Sequence, residues 1–123
     1  YNTNGTYGTG SDQKLKENIV DANSQWDDIK ALQVRNFNKI GNTDVHIGVV
    51  AQELEAAGMG GLVDEHADLD ADGTDLGTVT KSVKYSILYM KAVKALQEAI
   101  AKIETLETEM TALKARVTAL EGN

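Results

Sequence analysis

Ser11 lies in the stretch "TGSDQKLKENI", with Lys14 and Lys16 close behind it. A serine hydroxyl becomes a nucleophile when a base takes its proton, and a lysine serves as that base once burial favours its neutral amine. The chemistry such a pair offers is attack on a carbonyl carbon. Regular structure does not bring Lys16 to Ser11: positions five apart lie about 140° apart around a helix and on opposite faces of a strand. A turn between them, or a lysine from a neighbouring subunit, has to close the gap. The competing reading is local, because Ser-Asp ahead of a helical run is also a cap or turn signal.

The remaining candidates are weaker. "DLDADG" sets Asp68, Asp70, Asp72 and Gly73 in EF-hand register, but Val79 stands where the loop needs its bidentate glutamate. A solvated hairpin tip is the expected role of those carboxylates. His46 and His66 have no metal-ligand spacing to a further His, and the chain has no Cys. Gly58, Gly60 and Gly61 lack the Lys-Ser/Thr ending of a phosphate-binding loop. Neither a metal nor another cofactor is expected.

The elements that must position Ser11 follow from periodicity. Trp26, Ile29 and Leu32 recur at helical spacing, with Ser24 as N-cap and Asp27 and Asp28 in the first turn, where the helix dipole favours acids. Residues 34–40 lean towards a short strand ending at Gly41. "DVHIGVVAQELEAAGMGG" reads as a strand over Val45–Val49, then a helix from about Ala51 that stops at the glycines from Gly58. Residues 62–85 form a candidate hairpin turning at Asp72-Gly73. From Ser86 onward there is no Gly before Gly122 and no Pro, so one long helix is expected. Tyr89, Ala92, Leu96, Ala99, Ile103, Leu106, Met110, Leu113, Val117 and Leu120 alternate steps of three and four along it, which is a coiled-coil seam. No second helix of that length exists to cover the stripe, so the chain is expected to self-associate; the mixed seam residues leave the number of strands open.

Composition narrows the function classes. With 123 residues and only six aromatic side chains, one small core is expected, with part of the burial supplied by other chains. The net charge of −7 comes from the part before the long helix, which holds twice as many acidic as basic side chains. That balance lacks the clustered Lys/Arg that nucleic acid requires. No apolar run approaches the roughly 20 residues of a membrane span. The uncharged start "YNTNGTYGTG", without an initiator Met, reads as part of a longer protein.

"SDQKLKENI", "IGVVAQELEA", "VKYSIL" and the terminal heptads, in that order, resemble the C-terminal intramolecular chaperone domain of bacteriophage tail fibres, tailspikes, neck appendages and endosialidases, a self-cleaving serine peptidase family. The resemblance spans residues 11–121 and leans towards the L-shaped long tail fibres. It implies an α+β, mainly helical fold: a small body with short strands and a protruding β-hairpin arm, ending in a long helix that forms a parallel homotrimeric coiled coil. Residues 1–10 would be the end of the upstream fibre, 11–84 the body with its arm, and 85–123 the coiled-coil helix. The implied function is to trimerise, assist folding of the upstream fibre of the same chain, and cut itself free at Gly10–Ser11. Ser11 would be the nucleophile and Lys16 the base, with Lys14 at a position that is usually Arg. Asn18 and Gln52 match motif positions and either support the site or hold the turn and the strand-to-helix junction. The glycine at position 10 would give the scissile bond backbone freedom. The implied partners are two further copies and the upstream fibre, with neither nucleic acid nor membrane; the setting is the host cytoplasm during assembly, the fibre going to the virion tail without the released chaperone. The alternative is a trimerisation module of a fibrous protein that never cuts.

Overall fold

A computed structural model describes residues 9–122. The assignment of residues 1–10 to a fibre end therefore falls almost wholly outside the described residues. A 3-10 turn, Gln13–Leu15, comes first, followed by an extended stretch leading to helix α1, Trp26–Ala31. Strands β1, Arg35–Phe37, and β2, His46–Gly48, pair antiparallel, with Asn36 opposite Ile47. Helix α2, Ala51–Ala56, and a second 3-10 turn, Gly60–Leu62, lead into the hairpin of β3, Val63–Leu69, and β4, Asp75–Val83. Helix α3 runs unbroken through Tyr85–Glu121. The fold is mixed α+β with two separate two-stranded antiparallel sheets.

The core is small, as so few aromatic residues dictate. Leu54, Met59, Leu62 and Leu88 are buried together, with Ile29, Leu32, Val49, Ala57, Val63 and Val83 packed around them. Gly58, at φ +87°, takes the left-handed conformation that ends α2 and turns Met59 back towards Leu54, whose carbonyl accepts from the Met59 N–H. The root of the hairpin is held by an ion pair between Lys81 and Glu55 at 2.6 Å. Its tip is exposed and turns at Gly73, φ +83°. There the Asp70 carboxylate accepts from the Asp72 and Thr74 N–H groups at 2.9 Å, while Asp68 accepts from the Thr78 and Thr80 hydroxyls. The acidic tip is thus wired to its own turn, and among the described residues no cluster of three or more His, Cys, Asp or Glu is arranged around a cation.

Three boundaries depart from expectation. Leu32 lies outside α1 with extended backbone, φ −64° and ψ 136°, and packs on the core instead of extending the helical stripe. Ser24 is not the N-cap: that position is Gln25, with no side-chain cap of its own. Tyr85 opens α3 in place of closing β4, because Lys84 donates its N–H to the Leu62 carbonyl and its own carbonyl starts the helical ladder at Leu88.

α3 is about 55 Å long at 1.5 Å per residue. The large seam side chains from Leu96 to Leu120 are between 43 and 74 % exposed. A lone helix with this stripe in water leaves unburied the surface that gives most helices their stability. No helix among the described residues is long and apolar enough to cross a membrane.

Candidate active site

Asp12 creates the local geometry around Ser11. Its carboxylate accepts from the Lys14 N–H at 2.9 Å and its carbonyl from the Leu15 N–H, closing the 3-10 turn. Ser11 is therefore not the cap of this turn, and among the described residues its hydroxyl makes no hydrogen bond to the backbone. The turn ends where Lys16, at φ −128° and ψ 146°, returns to extended backbone while donating its N–H to the Gln13 carbonyl. That change of direction folds the lysine side chain back, and Lys16 Nζ lies 2.6 Å from Ser11 Oγ. One turn of 3-10 helix thus closes the five-residue gap within a single chain.

Charged Lys16 donates to the hydroxyl in this contact. With the amine neutral, the same two atoms let Ser11 donate to Lys16, the direction a general base requires. Both side chains are exposed, so desolvation is absent in the single chain. Lys14 takes no part in the contact.

The surroundings of the pair separate the other candidates. Asn18 lines the same shallow polar depression as Lys16, with Asp12, Gln13 and Glu17, and has φ +55°, a left-handed conformation that Asn tolerates better than most residues. It shapes the chain directly after the lysine. Gln52 is exposed on α2, and among the described residues it makes no hydrogen bond to Ser11 or Lys16. Gly10 is not among the glycines with positive φ. A Cβ built on it would meet Leu15 Cδ1 at 3.5 Å, an ordinary contact, so the conformation of Gly10 here does not itself require glycine.

The "IGVVAQELEA" stretch builds the body behind this segment. A Cβ on Gly48 would fall 3.0 Å from the Tyr85 hydroxyl and 3.2 Å from the Phe37 ring, so a larger residue there needs both aromatic side chains to shift by a few tenths of an ångström. Ala51 is buried. Glu53 receives both Nε and Nη2 of Arg35, at 3.0 and 2.7 Å, and this hydrogen bonding holds its carboxyl below the usual range. His46 sits in β2 and stacks on Phe37, and His66 in β3 bonds Ser82; neither approaches the Ser11 segment through a hydrogen bond.

Residues 11–66 match the Peptidase_S74 family, described as chaperone of endosialidase. The similarity to the chaperone-of-endosialidase family lies in this segment. The match covers a little under half of the 123 residues, starts at Ser11, and ends within β3. Curated proteins yield no match. Similarity to this family over residues 11–66 supports a chaperone role in folding a fibre.

One long-range contact at the start of α1 has no local signal in the sequence. Glu98 of α3 accepts from the Ser24 hydroxyl at 2.6 Å and from the Gln25 N–H at 2.7 Å, taking over the N-terminus of α1. The partners are more than 70 positions apart, beyond the reach of any cap motif.

Proposed function

We propose that the chain is an intramolecular chaperone that trimerises through α3, assists folding of an upstream phage fibre, and releases itself by cleavage at Gly10–Ser11. In this reading residues 1–10 end the fibre, 11–84 are the chaperone body with its hairpin arm, and 85–123 are a parallel trimeric coiled coil. The carrying observation is the 2.6 Å contact between Lys16 Nζ and Ser11 Oγ, made by a turn that leaves the hydroxyl free of capping. Neutral Lys16 takes the Ser11 proton as Oγ bonds to the Gly10 carbonyl carbon. The C–N bond then breaks, the proton passes to the departing Ser11 nitrogen, and the peptide has become an ester. Water hydrolyses the ester, leaving a Gly10 carboxylate and a chain that begins at Ser11. The nucleophile is consumed as the new N-terminus, so turnover is single.

A working base needs a neutral amine, and burial is what favours that form of lysine. Leu15, Ile19 and Val20 flank the pair and are 65–85 % exposed. An apolar edge of this kind suits packing against a neighbouring subunit, which would remove water from Lys16 and tie cleavage to assembly. The reaction would take place in the host cytoplasm, with the fibre passing on to the virion tail. Exposure of the pair in the single chain is also what favours the second reading, a trimerisation module that never cuts. Replacement separates the two: Ser11→Ala and Lys16→Ala leave the chain whole, whereas Lys14→Ala still yields the shortened product. An uncut wild-type chain, or cutting that survives both replacements, contradicts the proposal.

A further inference from the structure

Among the described residues, no hydrogen bond or ion pair joins residues 9–23 to any residue beyond Gln25. Residues 11–24 are exposed throughout, so the segment holding Ser11 and Lys16 gains its first polar fixed point at Ser24 and Gln25. Both are held by one carboxylate: Glu98 accepts the Ser24 hydroxyl on Oε2 and the Gln25 N–H on Oε1. In the heptad pattern Leu96 and Ala99 are seam positions, whereas Glu98, between them in sequence, falls outside the seam on the side that meets α1. Its side chain is therefore free to serve α1 without disturbing assembly of the seam.

We propose that Glu98 is the positioning residue that anchors the Ser11–Lys16 segment to the coiled-coil helix. The inference rests on the reading of Ser11 and Lys16 as nucleophile and base. Glu98 touches neither of them. It fixes the point from which the segment departs, so that a coil assembled from α3 carries each segment at a defined place beside its neighbours. Other struts hold α1 to α3 without reaching the two backbone-proximal groups that Glu98 holds: Lys91 bonds the Gln25 side chain and pairs with Asp28 at 2.9 Å, and Lys102 lies 3.7 Å over the Trp26 ring. Lys91 reaches the junction only through the Gln25 side chain, whereas among the described residues Glu98 holds both the Ser24 hydroxyl and the Gln25 backbone N–H.

The test compares Glu98→Gln with Lys91→Met in the full chain, following the single cleavage event by intact mass and assembly by sedimentation. Glu98→Gln is expected to assemble as wild type yet cut on the order of tenfold more slowly, as loss of a charge-assisted contact at a positioned site implies. Lys91→Met is expected to lower the melting temperature and cut at close to the wild-type rate. Ser24→Ala, which removes one of the two groups on Glu98, should slow cutting in the same direction and add little to Glu98→Gln. In the Ser11→Ala chain, amide exchange at Gln25 should accelerate with Glu98→Gln and not with Lys91→Met. Equal slowing by Glu98→Gln and Lys91→Met overturns the proposal, as does unchanged Gln25 exchange. A wild-type chain that never cuts defeats the assignment of Ser11 and Lys16, while exchange in the Ser11→Ala chain still decides whether Glu98 is the anchor.

Discussion

Ser11 keeps its hydroxyl for Lys16 because Asp12 beside it supplies the cap. The division of labour between adjacent residues has a direct consequence. Asp12→Ala removes the acceptor for the Lys14 N–H, loosening the turn by about 1 kcal/mol, the usual worth of such a cap, and slowing cleavage several-fold. Asp12→Asn, which keeps an acceptor in place, should cut at near the wild-type rate; a time course by intact mass checks both. A second expectation concerns pH. The Ser24 hydroxyl bond, then the Gln25 N–H, and more weakly the charges of Lys94 and Lys102, hold the Glu98 carboxyl below the usual range. A depressed carboxylate stabilises the fold above its unfolded value and loses that contribution as pH falls through the folded one. Docking of α1 on α3 should therefore weaken on acidification, and Glu98→Gln should flatten that dependence in Trp26 fluorescence. At this scale motif order singles out Ser11, Lys16 and Gly10, but how the lysine comes within 2.6 Å of the serine was not legible. Spacing rules describe regular helices and strands, and a single 3-10 turn followed by extended chain is neither.

The strands and helices near the site are short, and contacts between them set their ends more than propensity does. The period-two and period-3.6 patterns located β2, α2, the hairpin and α3 to within a residue or two, with α2, the root of the hairpin and the start of α3 contributing Leu54, Val63, Val83 and Leu88 to the small core. Ser24 and Tyr85 depart from expectation where a distant group intervenes, although the Ser24 hydroxyl still accepts from the Trp26 N–H at 3.4 Å. Glu98 captured the start of α1, and the Leu62 carbonyl captured Lys84, which freed Tyr85 to begin α3 and lean its hydroxyl over Gly48. Gly48→Ala is expected to destabilise the body by about 1–3 kcal/mol, as for overpacking, since the added carbon presses on both Phe37 and Tyr85 and both must shift together. Thermal unfolding measures it. Gly60→Ala, with open space around its added carbon, is the control that should change little by crowding.

Across the whole molecule, the contrast between core and seam governs behaviour. Four large side chains form the buried cluster, while the seam of α3 stays open along nearly its full length. The heptad pattern was legible because it is local and repeats. The number of strands was not, since Leu, Ile, Met, Val, Tyr and Ala alternate without the β-branched bias that selects one oligomer. Leu106→Asp with Leu113→Asp places charge at two central seam positions and is expected to give a monomer at micromolar concentration; a sedimenting trimer in that variant contradicts the assigned seam. The same variant should cut slowly or not at all, because nothing then removes water from Lys16.

The most direct measurement is the N-terminal sequence of the product after the chain Tyr1–Asn123, with its upstream fibre, is produced and allowed to assemble. The account predicts a new terminus reading Ser-Asp-Gln-Lys-Leu, with Gly10 ending the released piece. A single intact polypeptide, or a terminus at any other residue, contradicts it.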